Sequence, residues 1–261
     1  MSHADGSADP SAITSPPTSP RLLPLGDAAW TLEFGHRLDP ALAEQVARLA
    51  ARLRAAQLPG VVDLVPTLRS LTVHFEPEAV EAEALGAQLL ALASAPGADL
   101  PAGRHWRLPL CAEEPAFAPD LAELAERVGL RPEAVIGGLC RAVLRVGLIG
   151  FMPGFPYLIG LPQALHLPRR ATPRTRVPAG SVALAAGLCG VYPWDSPGGW
   201  WLVGHLPLPL FEADHPQAPA WLAAGDRLSW QPVDAAAHAA LAADWAAGRL
   251  RREDFLMPED A

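Results

Sequence analysis

The 261-residue chain is half hydrophobic, 18% charged and carries a formal net charge of -8. That balance supports one or two buried cores and argues against general nucleic-acid binding. All 20 basic residues are arginine and asparagine is absent, which excludes a P-loop lysine, a Schiff-base or pyridoxal-phosphate lysine, covalent biotin and an N-glycan on this chain.

Residues 1–20, rich in Ser, Pro and Ala, read as a disordered tail. They have no basic start followed by an apolar run, so no secretory signal is expected and a cytoplasmic location is the default. Trp30, Leu32 and Phe34 alternate with Thr31 and Glu33 as in a strand. Asp39-Pro40 then starts a helix whose apolar face is Leu42, Val46, Leu49 and Leu53, ended by Pro59-Gly60. Strands are predicted over 61–65 and 71–75, followed by a helix from Glu78 to about Ala93. Strands flanking helices in this order predict a ferredoxin-like α+β domain over 21–95.

Residues 96–103 are a linker by composition. A strand at 105–110, a helix carrying Leu121, Leu124 and Val128, and a second helix after Arg131-Pro132 open the second domain, 104–233. Beyond Gly147, Gly and Pro punctuate short β-type runs (181–184, 200–203, 227–230), the texture of a β-barrel or sandwich. The longest uncharged stretch, Val146–Pro168, holds four prolines and four glycines, so it cannot be a lipid-exposed helix. From Asp234 to 261 the chain is Ala-rich, with Leu241 and Trp245 at helical spacing, as in a surface helix. Cys111, Cys140 and Cys189 are too widely spaced to suggest disulfides or a zinc site.

Residues 150–204 carry the chemistry. Arg169, Arg170, Arg174 and Arg176 place four guanidinium groups in eight residues, stiffened by Pro168, Pro173 and Pro178, with no acid before Asp195. Such planar forks suit a carboxylate or phosphate. The same run would equally serve as Arg pairs bracing the fold, given carboxylates from elsewhere. Ser181 is a candidate hydroxyl donor or a turn residue, outside any nucleophile elbow. Phe151, Phe155, Tyr157, Tyr192, Trp194 and Trp200 are candidates to line a pocket or to form core.

The segments GFMPGFPYLIGLP, PRRATPRTRVPAGSV and GVYPWDSPGGWWLVG, with PLGDAA, LPGVVDLVP and RSLTVHF upstream, closely resemble one family across residues 21–233. It comprises the B-type subunit of bacterial 5-oxoprolinase, subunit 1 of allophanate-hydrolase-type proteins and the Kip-type inhibitor of histidine kinases. The resemblance implies an N-terminal α+β domain followed by a cyclophilin-like β-barrel. It also implies a hydrolase subunit active only in a complex, with a homologous C-type partner and a third, unrelated chain. That complex uses ATP to open the 5-oxoproline lactam to glutamate. Related domains of urea carboxylase accept a carboxyl group from biotin, which here would have to be carried by a partner.

On this resemblance, Arg174, Arg176 and Arg170 would hold a small anionic substrate, with Ser181 as a neutral donor and Phe151, Phe155, Tyr192 and Trp200 lining its pocket. The alternatives are a regulator that binds and inhibits a histidine kinase, and an allophanate-hydrolase or carboxyltransferase-like subunit acting on another small amide. The chain departs from the family pattern at three places. Leu139, beside Cys140, replaces a usual His; Cys111-Ala112-Glu113 replaces Tyr-Gly-Gly; Leu188-Cys189 replaces Gln-Thr. His166 and His205 lie near the motifs as possible substitutes.

Overall fold

A computed structural model describes residues 20–95, 103–113, 115–215 and 217–258. The tail at 1–19 and the linker at 96–102 lie outside the described residues.

The first domain is a four-stranded antiparallel sheet covered by two helices. Its elements are β1 (Arg21–Pro24), β2 (Ala29–Glu33), α1 (Pro40–Ala56), β3 (Val61–Pro66), β4 (Ser70–Phe75) and α2 (Ala82–Ser94), with strand order β1-β2-β4-β3. The segment β2–α1–β3–β4–α2 gives the first five elements of the ferredoxin-like βαββαβ unit. The sixth place, beside β2, is filled by β1 from upstream. Leu32, Phe34, Leu71, Val73 and Phe75 alternate inward against Val46, Leu49 and Leu53 of α1 and Leu85 and Leu89 of α2. Asp39 caps α1 by accepting from the Ala41 N–H at 2.8 Å. Helix α2 starts at Ala82, later than the apolar spacing suggests. Glu76 O is engaged by the Ala79 and Val80 amides in a turn, and the Glu81 carboxylate caps the helix.

The second domain is a closed seven-stranded barrel. It comprises β5 (His105–Cys111), β6 (Val143–Ile149), β7 (Pro156–Ile159), β9 (Ser181–Ala185), β10 (Leu188–Val191), β12 (Trp201–His205) and β13 (Arg227–Val233). Around the barrel the order is β10-β7-β6-β13-β5-β12-β9, and β5 with β13 is a parallel pair. A separate ribbon pairs β8 (Arg174–Val177) with β11 (Ser196–Gly198). Helices α3 (Leu121–Val128) and α4 (Pro132–Arg141) lie between β5 and β6 and add Leu121, Leu124, Val135 and Leu139 to the barrel core. The α+β domain followed by a β-barrel is therefore the observed architecture. Among the described residues no helix is long and apolar enough to cross a membrane.

The two domains share a third cluster. Ala43 of α1 and Leu68 of the β3–β4 turn pack with Phe155, Val177, Tyr192 and Trp200. A Cβ at Gly147 would collide with Leu68 Cδ2, so the turn seats directly on barrel backbone.

Helix α5 (Ala235–Ala246) rests on the barrel through a histidine pair. His205 Nε2 donates to the Ala179 carbonyl at 2.9 Å, which leaves Nδ1 to accept from His238 Nε2 at 2.9 Å. Phe117 packs on both rings, and Glu113 and Asp234 bind amides at the start of α5. Burial first, then the neighbouring His238, pushes His205 below 6.5, against a smaller upward pull from the Ala179 bond; burial also lowers His238. Both rings are neutral in the native state, so their contribution to stability is complete above 6.5. It is lost as pH falls from that value through the lower folded values. Urea unfolding between about pH 7 and about pH 5.5 should therefore show a steeper loss of stability in the wild type than in His238→Gln. Parallel curves would remove the pair from this role.

Candidate functional site

The arginine run is organised by a carboxylate fifty residues upstream. Asp120, only 2% exposed, immediately precedes α3, where the helix N-terminus favours negative charge. One of its oxygens accepts from Arg170 Nη1 at 3.0 Å and from Arg174 Nη2 at 2.5 Å. The other accepts the Leu202 N–H of β12 at 2.7 Å. Glu123, one turn into α3, takes Arg127 on one oxygen at 2.9 Å and Arg170 on the other at 3.3 Å. These bonds, Arg127 first, hold the Glu123 carboxyl below its ordinary value. Arg176 instead faces Asp195 across the ribbon at 2.6 Å, and Asp195 also accepts the Ala179 N–H.

Three of the four arginines are thus ion-paired within the chain, which is the bracing role the sequence left open. Arg169 is the exception: among the described residues no carboxylate meets it. Its guanidinium carbon lies 5.9 Å from the Trp200 ring centroid. Burial raises the Tyr157 and Tyr192 phenols, and the Arg169 charge offsets part of that rise.

Between α3 and the segment 164–172 lies a cleft of about 720 Å³, lined by Glu123, Arg127, His166, Arg169, Arg170 and Trp201 among others. The Trp201 ring lies under two guanidinium groups, Arg127 at 5.0 Å and Arg170 at 4.8 Å. Trp201 Nε1 donates to Pro168 O and the Arg170 N–H to Gly199 O, both at 2.8 Å, so the 164–172 wall is tied to β12 and its approach, as the Leu202 N–H on Asp120 ties the α3 wall.

Of the residues nominated from sequence as substrate ligands or pocket lining, Arg170 alone borders this cleft, beside Arg169 of the same run and His166. Arg174 stands behind it on Asp120, and Arg176 belongs to the ribbon. Ser181 is 4% exposed at the start of β9 and does not line the cleft. Phe155, Tyr192 and Trp200 are buried in the interdomain aromatic cluster and act as core; Tyr192 also edges a smaller hollow of about 230 Å³ beside Ala179, Gly180 and His205. Close packing explains the neighbouring glycines. A Cβ at Gly190 would come 2.7 Å from Phe155 Cζ, and one at Gly198 would collide with the Tyr192 hydroxyl. Phe151 is 63% exposed, at φ 69°, with its ring edge-on to Phe155.

Sequence reasoning missed Asp120, Glu123 and Arg127, because ordinary acidic and basic residues on a helix carry no motif. His205 is occupied by its partners, whereas His166 borders the cleft with Nε2 on Leu161 O at 2.9 Å. Two of the three departures from the family pattern, at Leu139 and at Leu188-Cys189, are apolar in effect. Leu139 is core, and burial pushes the Cys189 thiol up to about 12. Cys111 and Cys140 are also raised by burial, so no cysteine is poised as a thiolate. Among the described residues no group of three or more His, Cys, Asp and Glu is placed to hold a metal ion.

The family model for the carboxyltransferase domain, subdomain C and D, matches residues 20–222. The B-type subunit of 5-oxoprolinase from Escherichia coli O157:H7 is 37% identical over 209 residues, covering 80% of this chain and 94% of that protein. Among solved structures, TTHA0988 superposes with a TM-score of 0.67 at 34% identity over 78% of this chain, which spans 39% of that longer one. The Kluyveromyces lactis urea carboxylase gives a TM-score of 0.69 over 91% of this chain and 24% of its own, and at 20% identity it speaks to fold alone.

Asp120→Asn keeps an acceptor for Leu202 but removes the charge between Arg170 and Arg174. It should cost about 3 kcal/mol in urea unfolding, and a loss below about 1 kcal/mol would mean that solvent already screens the pair.

Proposed function

The chain belongs to the carboxyltransferase domain family, subdomain C and D, and to its B-type 5-oxoprolinase members, and on that premise we propose that it is a non-autonomous subunit of an ATP-dependent 5-oxoprolinase. The reaction is hydrolysis of the 5-oxo-L-proline lactam to L-glutamate. The single observation that carries this reading is the extent of the similarity: three B-type 5-oxoprolinase subunits are 33–38% identical and are matched over 88–96% of their own lengths.

The chemistry of the chain suits one member of an assembly more than a complete enzyme. Without lysine it has no P-loop lysine for a nucleotide and no biotin attachment point. Its cysteines are protonated, and its buried histidines are engaged with each other. What it offers is a rigid, positively charged cleft suited to orienting an anion and stabilising developing negative charge. Nucleophile activation and phosphate transfer are assigned to partners, a homologous C-type chain and a third, unrelated one, in the cytoplasm. Within this chain Arg170 faces the cleft and Arg174 is a positioning residue that holds it through Asp120.

Reconstitution tests the proposal. Alone, the purified chain should release no glutamate from 5-oxoproline. With its two partners it should do so only when ATP is present. A fully assembled complex that leaves 5-oxoproline intact, or that turns over another small amide in its place, would reject the reading.

A further inference from the structure

We propose that the cleft between α3 and segment 164–172 is a binding site for a phosphoryl dianion, with Arg169 and Arg127 as its principal ligands. The inference rests on charge and space in the cleft and does not require the 5-oxoprolinase reading.

Arg127, Arg169 and Arg170 line the cleft with Arg174 behind them, four guanidinium charges against the two carboxylates Asp120 and Glu123, which pair with Arg127, Arg170 and Arg174 and not with Arg169. Both carboxylates are fully engaged. Asp120 divides its oxygens between two arginines and the Leu202 amide, and Glu123 gives one oxygen to each of Arg127 and Arg170. Two positive charges are left over, and Arg170 Nε and Arg174 Nη1 are buried behind the cleft surface with no hydrogen-bond partner to offset them. The uncompensated charge borders a hollow of about 720 Å³, whose rim carries the exposed Pro168, Arg169, Ala171 and Thr172.

A solvated arginine face would not need its backbone fixed, yet this one is pinned. Trp201 holds Pro168 O, Gly199 O holds the Arg170 N–H, and Pro168 and Pro173 restrict the chain between. Rigid forks lose little freedom on binding. A group carrying two charges on several oxygens matches a surplus of two, whereas a single carboxylate leaves one unmatched. The volume exceeds that of one phosphate ion, so there is room for an organic carrier.

The test is isothermal titration of the full chain at low ionic strength with inorganic phosphate, with ADP and with 5-oxoproline. Saturable binding of phosphate or ADP is expected, weakening about ten-fold in Arg169→Gln and several-fold in Arg127→Gln. It should also weaken as NaCl rises from about 20 mM to about 300 mM. Arg249→Gln, on an exposed pair with Asp244, should bind as the wild type does. Tighter ADP than phosphate identifies a carried phosphoryl group, and the reverse a free ion. Unaltered thermal midpoints in the variants assign any loss to the ligand. No saturable binding of either probe, affinity indifferent to Arg169, or Arg169-dependent binding of 5-oxoproline alone would overturn the proposal.

Discussion

A buried carboxylate shared by two arginines sets the geometry of this molecule. Asp120 is nearly inaccessible, and an ion taken out of water costs several kcal/mol unless it is paired and hydrogen-bonded. Here that cost is offset by Arg170, Arg174, the Leu202 amide and the end of α3. The net gain in stability is small, but the gain in definition is not. Any displacement of α3, of β12 or of the arginine segment strands a charge in the interior. The helical insertion between β5 and β6 is thereby locked to a loop that follows β7, and the cleft exists because these two are held at a fixed separation.

The all-arginine composition suits this arrangement. Arg170 bonds Asp120 and Glu123 while its planar group lies over Trp201, and Arg127 repeats the pattern from α3. An ammonium group has neither the fork nor the flat face for both contacts. The consecutive tryptophans divide their labour by strand alternation. Trp201 lies toward the cleft, whereas Trp200 joins Phe155 and Tyr192 in the cluster that receives Leu68 from the first domain. One dipeptide thus couples the charged site to the interdomain core.

TTHA0988, 34% identical to this chain, holds the same architecture within a longer chain, of which the present chain spans 39%. The exposed Phe151, held at positive φ, and the part-exposed Trp194, packed edge-on against Phe211, are further features that the barrel core does not require.

Sequence alone determined the helices of the first domain and most strand positions, because capping residues and apolar periodicity are local properties. Asp39-Pro40 announces α1, and alternation announces β2 and β4. Contiguous motifs also carried the family. Sequence could not place β1 at the sheet edge, because its partner choice is a tertiary matter, nor reveal the parallel pairing of β5 with β13 across more than a hundred residues. The site shows the same division. Four clustered arginines are visible in any reading, but whether a guanidinium is available to a ligand depends on which acids the fold delivers. Asp120 and Asp195 claim Arg170, Arg174 and Arg176 in whole or part, and among the described residues no carboxylate meets Arg169. The aromatic residues were ambiguous for a similar reason: a hydrophobic ring lines a pocket or fills a core according to what packs against its other face. Phe155, Tyr192 and Trp200 share one buried cluster with Ala43 and Leu68, from a domain whose docking no local pattern encodes.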